Sequence, residues 1–208
     1  MIRLALLLAA LAVTLLNPHV YLDTVLLIGS LGAQHLNEVL SESLDSLPTG
    51  LQVLHLTGKD KDAPVRAALE AAVASGAEQD LSERYHVLDY LTTMEQAYAC
   101  ADGVLCRSGA GTVAEITALG LPALYVPLPI GNGEQALNAR GLVAAGGAVT
   151  VRDESFTADW VRSRLVPLLV DPDRLTEMSR AAAALGVRDA DERMADLVHG
   201  AAREGARR

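Results

Sequence analysis

The stretch GVLCRSGAGTVAEITALGLPALYVPLP, Gly103 to Pro129, changes periodicity twice within 27 residues. GVLC (103–106) is a short apolar run. GTVAEITALG (111–120) has helical spacing and stops at a glycine, and ALYVPLP (123–129) is apolar again. A buried run, a helix and a second buried run make a strand–helix–strand unit, the connection that parallel strands require. The link between the first strand and the helix, Arg107-Ser108-Gly109-Ala110-Gly111, is a glycine-rich turn at a strand's carboxyl end.

The same alternation extends in both directions. TVLLIG (24–29), LQVLHLTG (51–58) and YHVLDY (85–90) read as earlier strands, and GAVTV (147–151) as a sixth. Between them, AQHLNEVLSESLDSL places Leu36, Val39, Leu40 and Leu44 on one helix face. APVRAALEAAVASG reads as a helix closed by Gly76, TMEQAYACA as a short helix and GEQALNARGLVAAG as another. AEQDLSER (77–84) reads as an acidic loop. Three helical stretches, 157–170, 172–185 and 188–203, finish the chain. This pattern predicts a doubly wound parallel α/β sheet of Rossmann-like type over residues 25–208, preceded by an apolar segment, 1–24.

Composition narrows the function. The 208 residues suffice for one sizeable domain plus appendages, and with 50% apolar residues the chain is not a disordered one. A net charge of -9 and only 3% aromatic residues argue against nucleic acid, which wants a basic face or stacking platforms. Net charge does not bear on small anions, which are gripped by local N–H groups and helix N-termini. The two cysteines, Cys100 and Cys106, lack the partners of a zinc site or a disulfide framework and read as buried free thiols.

In doubly wound sheets ligands bind beyond the carboxyl ends of the strands. Three glycine turns stand there: Gly29-Ser30-Leu31-Gly32-Ala33, Ser108-Gly109-Ala110-Gly111, and Pro129-Ile130-Gly131-Asn132-Gly133. Their backbones could approach a phosphate closely, and each leads into a helix N-terminus. The first is neither a dinucleotide G-x-G-x-x-G nor a P-loop, for no Gly-Lys-Ser/Thr follows. Glu115, one helical turn beyond the second, is suited to accept hydrogen bonds from two ribose hydroxyls; Gln135 and Asn138 suit sugar hydroxyls. Each side chain also has a plainer reading. Glu115 could complement a helix N-terminus, Gln135 could be a solvated helix residue, and Arg107 could sit in a surface ion pair.

Three segments, GSLGAQHLNE (29–38), YLTTMEQAYACADGVLCRSGAGTVAEITALGLPALYVPLPIGNGEQALNA (90–139) and DPDRLTEMSRAAAALGVRDADERMADLV (171–198), closely resemble the MurG family of peptidoglycan glycosyltransferases. The resemblance runs from about Gly29 to about Val198 and covers the C-terminal, donor-binding domain of a two-domain GT-B enzyme. It implies transfer of N-acetylglucosamine from UDP-GlcNAc to the undecaprenyl-diphosphate acceptor lipid I, giving lipid II at the cytoplasmic face of the membrane. By the same resemblance, Ser30, with Gly32 in its loop, lies at the donor diphosphate, and the backbone of Leu91 meets the uracil. Ala110, Gly111, Thr112, Val113, Ala114 and Glu115 line the nucleotide-sugar, with Glu115 on the ribose, and Gln135 contacts the GlcNAc. Arg107, Ser108, Gly109 and Asn138 join them as binding candidates from the same turns. The resemblance implies inversion by direct displacement, with no cofactor and no metal held by a D-x-D motif. Ile28 stands where the family's loop usually has a first glycine. The family's lipid I-binding domain, which carries the candidate base, has no counterpart in this sequence, so activity of the chain alone is uncertain.

The apolar run LALLLAALAVTLL (4–16) is short for a membrane span of about 20 residues. LAVTLLNPHVYLDTVLLIGSLGAQ (11–34) resembles the LysE/ArgO family of basic amino-acid exporters, so the chain reads as a junction of two resemblances meeting at GSLGAQ. Two alternatives follow: a protein like the UDP-GlcNAc 2-epimerases, which share the GT-B architecture, and a membrane-anchored fragment of an exporter.

Overall fold

The computed structural model describes residues 24–29, 34–76 and 80–205. The predicted apolar segment 1–24, except Thr24, lies outside these residues, as do Ser30 and Gly32.

All six expected strands form: β1 (Thr24–Gly29), β2 (Leu51–Leu56), β3 (Tyr85–Leu88), β4 (Gly103–Cys106), β5 (Ala123–Tyr125) and β6 (Ala148–Thr150). They make one parallel sheet in the order β3-β2-β1-β4-β5-β6. β1 and β4 are its centre, which is why Val25 to Ile28 and Val104 to Cys106 are continuous apolar runs, buried without alternation.

Helices α1 (Gln34–Ser41) and α2 (Asp62–Ala74) bury Leu36, Val39, Leu40 and Val65 in one core with Leu26, Ile28 and Leu105. Helices α4 (Met94–Cys100), α5 (Ala110–Leu119) and α6 (Glu134–Ala144) bury Ala97, Val113, Ile116, Ala139 and Leu142 in a second core with Leu27, Val104 and Tyr125. The chain moves toward β3 from β1 and toward β6 from β4, so crossovers of one hand place the two helix sets on opposite faces. The adjacent strands where the direction reverses, β1 and β4, mark the switch point.

The helix expected to run through Leu47 stops at Ser41, and Leu44 is buried instead by a 3-10 turn, Leu44–Ser46. The serines end it: Ser43 Oγ donates to Val39 O at 2.6 Å and Ser46 Oγ to Ser43 O at 2.6 Å, local bonds that compete with a continued helix. The acidic loop 77–84 closes on a helical turn, α3 (Leu81–Arg84). Arg84 is buried there, donating to Leu47 O and Leu51 O and pairing with Asp80, so it pins the entry of β2.

The last stretches are helical as expected: α7 (Ala158–Trp160) runs through a π turn (Val161–Leu165) into α8 (Val166–Leu169), and α9 (Pro172–Leu185) and α10 (Ala190–Gly205) follow. Phe156, Val161, Leu165 and Leu169 return to the first core, while Ala182 of α9 enters the second. Gly147 and Gly186 are required by packing. A β-carbon on Gly147 would stand 2.9 Å from Ala182 N, and one on Gly186 2.7 Å from Thr117 O.

Tyr125, fully buried in β5, has a hydroxyl with no hydrogen-bond partner among the described residues. Leaving a buried polar group unpaired costs about 1–3 kcal/mol. Tyr125→Phe is therefore expected to leave stability unchanged or raise it by about 1 kcal/mol in urea unfolding; a loss of that size would show that the hydroxyl is satisfied.

Candidate functional site

The carboxyl ends of β1, β4 and β5 stand side by side, because these strands are neighbours in the sheet. The turn after β4 is the best built. Gly109, extended at φ -61° and ψ 146°, caps α5, and the first intrahelical bond there runs from Val113 N to Gly109 O. The N–H groups of Ala110, Gly111 and Thr112 thus lack an intrahelical acceptor and form a positive helix end. A β-carbon on Gly111 would meet nothing within 4 Å, and one on Gly109 only Thr112 Oγ1 at 3.8 Å. Protein packing does not require glycine at either place; both border open space. Ala110, Gly111, Ala114 and Glu115 are exposed, Thr112 is half-buried, and Val113 turns its side chain into the core.

The turn after β5 uses Gly131 (φ 84°) and Gly133 (φ 73°) in the left-handed region, where glycine has no steric cost, and Gly133 starts α6. Two bonds tie this turn to the one after β4, and a third closes it on itself. The buried Ser108 donates its Oγ to Gln135 O at 2.8 Å, Asn138 Nδ2 donates to Ser108 O at 3.0 Å, and Gln135 Oε1 accepts from Leu128 N at 3.0 Å. Ser108, Gln135 and Asn138 are thereby brought together, each spending at least one polar atom on holding the two turns in register.

Arg107 occupies a largely internal position, with 13% of its side chain exposed. Its Nη1 donates to Val126 O at 2.9 Å, to Pro127 O at 3.3 Å and to Asp153 Oδ1. The other oxygen of Asp153 pairs with Nδ1 of His35, in the first turn of α1, at 3.1 Å. One carboxylate therefore joins the exits of β4 and β5 to the start of α1. Neither His35 nor Asp153 was among the sequence candidates. Asp153 is 46 residues from Arg107 and carries no local motif; His35 had one signal, its place just after the first glycine turn.

Tyr98 was also missed. Its hydroxyl, on α4, donates to Glu115 Oε2 at 3.2 Å. Burial, then the neighbouring Glu115 charge, raises the Tyr98 pKa, so the phenol keeps its proton. Leu91, half-buried in the link before α4, packs on the same core as Tyr98. Beneath the edge lies a polar network that sequence reasoning did not reach. The fully buried His55 bonds Tyr85 OH through Nδ1 (2.8 Å) and Asn37 Oδ1 through Nε2 (3.0 Å), and Asn37 Nδ2 donates to Thr57 O at 3.0 Å.

Three D-x-D strings do occur, Asp60–Asp62, Asp171–Asp173 and Asp189–Asp191, and each lies at a helix start, where Asp62 of the first pairs with Arg66 at 2.7 Å. Asp171 caps α9 by accepting from Arg174 N at 2.9 Å, and Asp189 pairs with Arg193 at 2.9 Å. No cluster of three or more His, Cys, Asp or Glu side chains able to hold a metal exists among the described residues, nor does a helix long and apolar enough to cross a membrane.

A six-stranded parallel sheet of this order, with glycine turns and helix starts along its carboxyl edge, is the nucleotide-binding class of doubly wound domain. The sequence profile of the glycosyltransferase family 28 C-terminal domain matches residues 24–194, and the chain belongs to that family. It is 49% identical over 176 residues to the UDP-N-acetylglucosamine–N-acetylmuramyl-(pentapeptide) pyrophosphoryl-undecaprenol N-acetylglucosamine transferase of Paenarthrobacter aurescens, covering 82% of this chain and 44% of the relative. It is 46% identical over 181 residues to the transferase of the same name from Streptomyces coelicolor, covering 86% of this chain and 47% of that one. The crystal structure of MurG from Acinetobacter baumannii superposes with a TM-score of 0.75 at 30% identity, covering 88% of this chain and 54% of that one. The fold is accordingly the C-terminal domain of a GT-B glycosyltransferase. A Listeria monocytogenes protein described as a UDP-N-acetylglucosamine 2-epimerase (TM-score 0.63, 15% identity) shares the fold alone. The chain spans about half the length of the curated relatives it matches.

Proposed function

We propose that residues 25–208 are the donor half of an inverting N-acetylglucosaminyltransferase that takes the sugar from UDP-GlcNAc and delivers it to lipid I, forming lipid II. The observation that carries this reading is the turn after β4: three N–H groups without an intrahelical acceptor, a Gly111 on which a β-carbon would meet nothing within 4 Å, and the exposed carboxylate of Glu115 a turn further on. The N–H groups suit a diphosphate and the carboxylate suits a ribose diol. The names of the relatives support the choice of sugar and acceptor.

In this reading an acceptor hydroxyl attacks the anomeric carbon as the bond to the UDP oxygen breaks, inverting the centre. Charge grows on the diphosphate, where preorganised N–H donors and a helix start stabilise it most. Ser108, Gln135 and Asn138 keep the two turns fixed during that change, and Arg107 fixes the exits of β4 and β5 beneath them. Acceptor binding and the base belong to the other half of the family's proteins, and the reaction to the cytoplasmic face of the membrane, with the enzyme held peripherally.

Calorimetric titration with UDP tests the reading. Glu115→Ala should weaken UDP by a factor of about 10, corresponding to the roughly 1–3 kcal/mol of a hydrogen-bonded charged group, and should weaken 2′-deoxy-UDP much less. No heat with millimolar UDP, or equal losses for both nucleotides, would remove the proposal.

A further inference from the structure

We infer that Tyr98 is a positioning residue for the ribose-binding carboxylate of Glu115, an inference that rests on the donor-site reading above. Glu115 stands on the exposed face of α5 and has three rotatable bonds, so alone it would sample many rotamers. In the structure its Oε2 accepts from the Tyr98 hydroxyl at 3.2 Å. That hydroxyl is placed by the core: the Tyr98 ring, on α4, packs half-buried against the apolar cluster that contains Leu27, Ala97 and Cys106. A ring with only two side-chain torsions thus transmits the position of the core to a solvent-facing carboxylate.

The hydrogen-bond inventory of the pair suits the role. The phenol stays protonated, because burial and the Glu115 charge both oppose its ionisation, so it is a donor to the carboxylate throughout the working pH range. One lone pair of Oε2 is taken. Both lone pairs of Oε1 and the second of Oε2 remain, enough for the two donors that neighbouring sugar hydroxyls supply. Leu91, the residue proposed for the uracil side, packs on the same core as Tyr98. The base end and the ribose end of the ligand would therefore be referred to one apolar core, and the bond from Tyr98 to the ribose-binding carboxylate predicts selectivity for the ribose over its deoxy form rather than a general gain in affinity.

The test is a binding cycle on the whole chain, with calorimetric Kd values for UDP and 2′-deoxy-UDP measured on the unaltered protein, Tyr98→Phe, Glu115→Ala and the double variant. Tyr98→Phe keeps the ring and its packing. It should weaken UDP about 3- to 10-fold and 2′-deoxy-UDP by less than about 2-fold, and should add almost nothing in the Glu115→Ala background. Equal losses on both nucleotides would make Tyr98 a packing residue. No loss on either, or a full additional loss in the double variant, would equally overturn the positioning role while leaving the donor-site reading intact, provided Glu115→Ala still discriminates. Should Glu115→Ala itself fail to discriminate, the donor-site reading falls and the role of Tyr98 falls with it.

Discussion

Asp153→Ala is expected to destabilise the fold by about 3 kcal/mol and to weaken UDP binding along with it. Removing one member of a mostly buried ion pair leaves the other charge in a poor solvent, at a cost of roughly 3–5 kcal/mol. Arg107 and Asp153 side chains are 13% and 18% exposed. The low end of that range applies, because Arg107 would keep Val126 O and Pro127 O as acceptors. The same change releases His35, so the start of α1 would lose its tie to the exits of β4 and β5. Asp153→Asn separates the contributions, since an amide oxygen can still accept from Arg107 while the negative charge is gone and the amide NH2 can meet His35 Nδ1 only as a donor. It should lose roughly 1 kcal/mol, about one hydrogen bond. Urea unfolding of both variants measures this; losses below 0.5 kcal/mol for the alanine variant, the usual size for a surface pair, would show that the carboxylate is not a junction.

The second large effect depends on pH. Burial lowers the His55 pKa from 6.5 to about 4. The neutral ring fits its neighbours: Nε2–H donates to Asn37 Oδ1, and Nδ1 accepts from Tyr85 OH. With the folded pKa depressed, the unfolded chain binds more protons between pH 4 and 6.5, so stability rises with pH across that window. The contribution is complete above pH 6.5 and lost as pH falls toward 4. At 1.36 kcal/mol per pH unit it amounts to about 3 kcal/mol. Carboxylates and the partly buried His86, also lowered by burial, titrate nearby, so the measurement is a difference. The advantage of the unaltered protein over His55→Gln in urea unfolding should shrink by about 3 kcal/mol from pH 7 to pH 4. Parallel profiles would mean that His55 is accessible to protons in the folded state.

The sheet was legible because its central strands are buried on both faces. Val25–Ile28 and Val104–Cys106 can be apolar without interruption in a parallel sheet covered on both sides, and the glycine pairs 109/111 and 131/133 mark where β4 and β5 turn into helices. What stayed hidden was of two kinds. Local competition ended α1 early, since a serine hydroxyl reaching back to a carbonyl leaves the apolar period unchanged. Long-range pairing was the other. Nothing near Asp153 shows that it meets an arginine 46 residues earlier, and nothing near Arg84 shows that an acidic segment ends in a buried cation.

The candidate site divides the same way. Glu115 and the glycine turn are found by spacing, because a helix brings residues one turn apart to the same end of one element. Arg107 and Ser108 occur in the same word, yet the structure turns both inward, Arg107 to backbone carbonyls and Asp153 and Ser108 to Gln135. Tyr98 reads in sequence as one apolar position of a short helix; its hydroxyl gains a use once α4 and α5 lie against the same core.

By itself, then, the sequence determined the parallel doubly wound sheet and the glycine turns after β4 and β5, because these are written in local period and composition, and it pointed to the family through the resemblance of whole segments. Tertiary structure decided which polar groups face the crevice and which brace it, since that depends on pairings between strand exits that come together only when β1, β4 and β5 align side by side.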